Sequence, residues 1–135
     1  TWDHDLSFDN DYRSYPVNGN NDFIFLFVPS PASEAVRDIT RRIIKEDPEA
    51  KKLFAEYWEA ALEEGDLKSL PEYLDQTYVL LQESQELNFK RWDILNQKVH
   101  MNFQALGTYE AEVNFLKNCL EDRLAKFDQY VKNNK

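Results

Sequence analysis

From Ser33 to the C-terminus, apolar residues recur every three or four positions, and only Pro48, Gly65, Pro71 and Gly107 interrupt them. That spacing is the period of an α-helix with one buried face, and a strand pattern would alternate by two instead. The punctuation agrees. Pro48 and Pro71 stand where helices are expected to start, because proline lacks the N–H that a first turn leaves unbonded anyway. The other three prolines all fall in the first 31 residues. The chain therefore reads as mainly α: an irregular leader over 1–33, then a helical subdomain over 34–135. About four helices are expected, two shorter ones followed by a long antiparallel pair.

Ser33 is a natural N-cap for the first helix, whose Val36, Ile39, Ile43 and Ile44 share a face. Asp47-Pro48 ends it and opens the second, with Asp47 as cap. Leu53, Phe54, Tyr57, Trp58, Ala61 and Leu62 then give a broad apolar face, and Gly65 closes it. Ser69-Leu70-Pro71-Glu72 predicts the start of the third helix, along which Leu74, Tyr78, Leu81, Asn88, Trp92 and Leu95 follow. Residues 98–107 break the pattern, and Gly107-Thr108 reads as turn and cap. The last helix carries Val113, Leu116, Leu120, Leu124, Phe127 and Val131 near heptad spacing, which predicts packing within the chain.

The leader is different in kind. Asp9, Asn10, Asp11 and the Asn18–Asp22 stretch are turn formers, because short polar side chains satisfy nearby backbone groups outside helices. Phe23-Ile24-Phe25-Leu26-Phe27-Val28 is apolar throughout and fits a buried strand or a short buried helical turn.

Charge and composition exclude several functions. With 25 acidic against 16 basic residues, the net charge of −9 repels phosphate backbones, so nucleic acid is not an expected partner. Arg37, Arg41, Arg42 and Lys45 form no basic patch; Glu46 and Asp47 follow them at once, as on a solvated helix face. No apolar run approaches the roughly 20 residues of a membrane span. A single cysteine, Cys119, precludes an internal disulfide and falls in an apolar helical stripe, where a buried thiol is expected rather than a nucleophile. His4 and His100 are the only histidines, and no glycine-rich phosphate loop is present. Asp9, Asp11 and Gly19 miss the spacing of a calcium loop. The chain opens at Thr1 with neither methionine nor signal peptide, as expected of a piece cut from a longer protein or of a processed precursor.

Two places rise above packing. In Trp2-Asp3-His4-Asp5 the two aspartates share parity, so in an extended segment their carboxylates point to one side and make an oxygen-rich site for a hard cation such as Mg²⁺. His4 would point the other way. The second is Asn88, a polar step on an apolar helix face, which must find a hydrogen-bond partner if it is buried.

At these residues the sequence resembles a known family. Trp2-Asp3-His4-Asp5-Leu6-Ser7-Phe8 is similar to the Trp-Asp-aromatic-Asp-Leu-aliphatic-Phe-Gly segment of the CotH family, the spore-coat-type atypical protein kinases. Ile44–Glu49 resembles that family's Asp-Pro junction, and Phe54 with Tyr57-Trp58 its aromatic helix. Asn88–Trp92 resembles its Asn…Trp helix, and Tyr109, Glu112, Val113, Leu116, Leu120, Arg123, Phe127 and Asp128 its closing helix. The resemblance implies the C-terminal part of a kinase-like C-lobe, with Asp3 as a Mg²⁺ ligand and Asp5 as a second ligand or a local structural acid. Mg²⁺ would be held there with ATP, and only in company with an upstream part of the chain that brings the nucleotide lysine, the phosphate loop and the catalytic acid. It further implies a secreted or cell-surface protein with protein substrates or surface proteins as partners. Two residues depart from the pattern. His4 replaces an aromatic, and Asp9 stands where the family has glycine, so the geometry of this turn is what the likeness puts in question. A non-catalytic surface scaffold that keeps the fold is the alternative, and an unrelated helical bundle with a chance acidic motif is a third.

Overall fold

The computed structural model describes residues 8–12 and 31–134. Among them are five α-helices and no strand: α1 (Pro31–Glu46), α2 (Pro48–Glu63), α3 (Asp66–Leu80), α4 (Gln82–Arg91) and α5 (Tyr109–Asn133). The Phe23–Val28 segment lies outside the described residues.

The α1–α2 corner follows its sequence closely. Asp47 is extended (φ −90°, ψ 115°), and its carboxylate accepts from the Glu49 and Ala50 amides at 2.9 and 3.1 Å, with Pro48 opening the helix. These bonds satisfy donors that a first turn leaves orphaned. α1 begins at Pro31, two residues before the expected Ser33 cap. Its apolar face is not covered as the periodicity suggests: Val36, Ile39 and Ile43 are all more than half exposed. Ile44 turns inward instead, toward Phe54, Ala55, Tyr130 and Val131. Arg37, Arg41 and Arg42 pair with Asp38 and Glu46 on the solvated side, as expected.

Gly65 (φ +90°) ends α2 in the left-handed conformation that suits glycine. Its carbonyl at once accepts the Ser69 amide at 2.9 Å. That bond starts α3 at Asp66, three residues before the expected cap, and leaves Pro71 inside the helix rather than at its head. Four expected helices become five at Leu81, where φ −92° and ψ 5° interrupt the rod. The joint is tied across: the Leu81 amide donates to Thr77, the Gln85 amide to Leu81, and the Gln82 side chain to the Tyr78 carbonyl. No glycine or proline marks this break.

α5 is the organising element. Thr108 caps it through the Ala111 amide. Phe54 and Trp58 of α2 meet Phe127, with Trp58 at 4.6 Å between ring centroids and its indole N–H donating to Asp128. Tyr78 of α3 stacks on Tyr109 at 5.5 Å, and Asp75 pairs with Lys117 at 2.6 Å. Rising numbers on α2 and α3 thus meet falling numbers on α5. α2 runs along its C-terminal half and α3 along its N-terminal half, both antiparallel to it. The near-heptad stripe is intramolecular packing. The buried apolar residues among those described are few: Ala55, Cys119, Leu120 and Val131. Leu53, Tyr57, Tyr73, Val79, Leu80 and Leu87 remain exposed.

Candidate functional site

Asp3, His4 and Asp5 lie outside the described residues. What is described is the turn that follows them, Phe8-Asp9-Asn10-Asp11-Tyr12, and it is held unusually firmly. Phe8 and Asp9 both have positive φ, 55° and 64°. For an aromatic residue this is a rare conformation that a chain keeps only when its surroundings enforce it. Asp9 is 7% exposed and Asp11 1%. Carboxylates at that depth must be partnered.

Both sides of the turn are fastened. On one side the Tyr12 amide donates to the Met101 carbonyl at 3.1 Å, and the Asn102 side-chain amide donates to Asn10 Oδ1 at 2.7 Å. Met101 and Asn102 belong to the irregular connection between α4 and α5. That connection is folded on itself by the Gly107 amide bonding Leu95 and by Glu112 accepting the Leu106 amide at 2.8 Å. Gly107 has φ +83°, and a Cβ there would sit 3.3 Å from Asn96 Oδ1, so two reasons call for glycine. On the other side, α5 presents Cys119 and, one turn later, Arg123. The Arg123 guanidinium lies 5.4 Å from the centre of the Phe8 ring. The Cys119 thiol donates to the Asp9 carboxylate. Burial first, then the adjacent Asp9 charge, push its pKa up to about 11. Cys119 is therefore a buried, protonated thiol, as its sequence setting predicts, and no nucleophile.

A cavity of about 190 Å³ opens beside the turn, lined among others by Asn10, Phe89, Leu95, Asn102, Gln104 and Glu112. Its walls are amides and apolar side chains together with the carboxylate of Glu112, which already accepts the Leu106 amide.

The second sequence candidate resolves differently. Asn88 is exposed, and the inward position on α4 belongs to Phe89, which packs on Tyr109 at 6.2 Å. The break at Leu81 ends the stripe that made Asn88 look inward. The structural side-chain bond expected of Asn88 is not needed; its carbonyl accepts the Trp92 amide at the helix end. His100 is an exposed loop residue with φ 52°. Among the described residues no three His, Cys, Asp or Glu side chains converge as metal ligands. No helix among them is long and apolar enough to cross a membrane.

The sequence marks Asp9 and Asp11 as turn formers that satisfy local backbone groups, and it gives Arg123 only a place in the closing helix. The available signal was Phe8 directly before Asp9-Asn10-Asp11, an aromatic residue that packs on Arg123, whereas Tyr12 is exposed and is held through its backbone amide. Comparison with protein-family models, with curated proteins and with solved structures returned no match.

Proposed function

We propose that this chain is the C-terminal helical part of a CotH-like kinase-fold protein, at the end of a kinase-like C-lobe. In that reading Asp3 and Asp5 form the Mg²⁺-holding edge of a site for ATP-dependent phosphoryl transfer. An upstream part of the chain supplies the nucleotide lysine, the phosphate loop and the catalytic acid, and the helical part alone is inactive. The protein acts at the cell surface or after secretion, on protein substrates or surface proteins.

The observation that carries this reading is the backbone of Asp9. The family has glycine at this place, and here an aspartate adopts φ 64°, the left-handed conformation that glycine takes most readily. The residue type departs from the family's glycine, and the backbone conformation is one that glycine favours. Aspartate is among the few non-glycine residues that tolerate this region, and Cys119 holds it there. The same turn is clamped to α5 and to the α4–α5 connection. A metal-holding carboxylate needs such support, because ligand geometry is set by the shell behind it.

A second reading, a surface scaffold that keeps the fold without the chemistry, is favoured by one observation. Tyr73, Val79, Leu80 and Leu87 expose apolar side chains along the outer side of α3 and α4. Calorimetric titration of Mg²⁺·ATP into this chain is expected to show no tight binding, and micromolar affinity would overturn the claim that it is inactive alone. The same titration on a chain extended upstream separates the two readings: saturable Mg²⁺-dependent ATP binding supports the kinase, and its absence supports the scaffold.

A further inference from the structure

The cavity between the Phe8–Tyr12 turn, α4 and the start of α5 has a lining whose hydrogen-bonding groups are unevenly spent. Asn102 gives a side-chain N–H to Asn10, and Gln97 gives one to the Asp93 carbonyl. Each has committed a donor and keeps its own carbonyl oxygen. Glu112 gives Oε1 to the Leu106 amide, and its second carboxylate oxygen remains. Gln104 adds another carbonyl to the wall. No lysine, arginine or histidine of the lining offsets this acceptor capacity, and Glu112 is its one charged residue.

The remaining wall is apolar. Phe89, fixed on Tyr109 at 6.2 Å between ring centroids, and Leu95 are half-buried, and Ile94 and Val99 are more exposed. The volume of about 190 Å³ is room for about six water-sized groups at roughly 30 Å³ each. An occupant of that size matches both walls if it brings donors without acceptors at one end and a carbon stem at the other. A positive charge at the donor end complements Glu112, and the net charge of −9 favours the approach of a cation.

We propose that this cavity binds a primary ammonium on a short apolar stem, the ammonium against Glu112, Asn102 and Gln104 and the stem along Phe89 and Leu95. An ammonium carries three N–H donors and no acceptor, which is what the polar wall lacks. An anion would find no cation in the lining, and a neutral alcohol would leave the Glu112 charge unpaired. The site uses neither Asp3 nor Asp5, so it goes beyond the kinase reading and does not depend on it.

The test is a titration of the ¹⁵N-labelled chain with n-butylammonium chloride at constant ionic strength. The reporters are the Leu106 backbone amide, which is bonded to Glu112, and the side-chain amides of Asn102 and Gln104. Their ¹H–¹⁵N signals should shift saturably, with a Kd in the millimolar range for a ligand of about five non-hydrogen atoms. n-Butanol, which keeps the stem and lacks the charge, should bind about tenfold more weakly, and potassium chloride should give no saturable shift. Glu112→Gln keeps a carbonyl oxygen for the Leu106 amide and removes the charge, so it should weaken n-butylammonium about tenfold. If that variant does not fold, the comparison of the three titrants on the wild type decides alone. The proposal is overturned if n-butylammonium gives no saturable shift well above millimolar concentration, if n-butanol binds equally well, or if potassium chloride reproduces the shifts.

Discussion

The stability of this fold should fall in alkali because of one thiol. Cys119 is 6% exposed, and burial together with the neighbouring Asp9 carboxylate lifts its pKa from 9.0 to about 11. A folded pKa above the unfolded one means that the folded state holds the proton over the window between the two values. The stabilisation is complete below pH 9 and is lost as pH rises through 11. Two pKa units at about 1.4 kcal/mol each amount to about 3 kcal/mol. That is a large fraction of the roughly 5–15 kcal/mol by which small domains are stable. Urea denaturation followed by circular dichroism, at pH about 8 and about 11, measures the loss. Tyrosine and lysine titrate in the same range, so the informative quantity is the difference from Cys119→Ala, which lacks the thiol and keeps every other group. The wild type should lose about 3 kcal/mol more than the variant across the window. Asp9→Asn should shrink that excess without abolishing it, because burial is the larger cause and Asp9 the smaller. Equal pH slopes in wild type and Cys119→Ala would refute the reasoning, since the thiol would then titrate alike in both states.

Two further outcomes test the turn and the core. At Asp9 (φ 64°) both Asp9→Gly and Asp9→Ala remove the acceptor of the Cys119 thiol, but only alanine must be forced into the left-handed region; Asp9→Ala should be less stable by about 1 kcal/mol in chemical denaturation. Leu120 is 8% exposed on α5 and Leu87 is 70% exposed on α4, so Leu120→Ala should cost about 3 kcal/mol and Leu87→Ala less than about 0.5, measured the same way.

The parts of this architecture that were legible in the sequence are those in which a local rule meets no competitor. Asp47-Pro48 is a cap and a first-turn proline, and each does locally what its chemistry favours. Thr108 caps α5 and Gly65 ends α2 for the same kind of reason. The heptad-like spacing of α5 is recovered as packing because two partners, α2 and α3, lie along its length. Errors arose where a tertiary or backbone event overrode the local rule. Ser69 and Pro71 make a good helix start, yet the left-handed Gly65 leaves its carbonyl one turn earlier and begins the helix there. The joint at Leu81 has no breaker residue; the Gln82 side chain bonding the Tyr78 carbonyl is a contact that no periodicity encodes. Periodicity also gives a face without saying whether anything covers it, which is why Val36, Ile39 and Ile43 share a stripe and remain exposed.

The site was half legible for a related reason. Asp9-Asn10-Asp11 has the composition of a solvated turn, and composition cannot show that α5 and the α4–α5 connection close over it. Two consecutive residues in the left-handed region cost about 1–3 kcal/mol each, and buried carboxylates cost more unless they are bonded. A turn with these liabilities persists only if its surroundings over-determine it. Here they do, through the Phe8–Arg123 contact, the Cys119–Asp9 bond, the Asn10–Asn102 bond and the Tyr12–Met101 bond. Four anchors from two elements exceed what a connecting loop requires for its own sake. Structural expense of this kind is concentrated where side-chain position matters, and the acidic segment with Asp3 and Asp5 stands a few residues before this turn in the sequence. If the anchors serve that acidic segment, loosening them should disturb whatever the segment holds before it disturbs the fold. Such a separation would not arise from a turn that only closes a helical bundle.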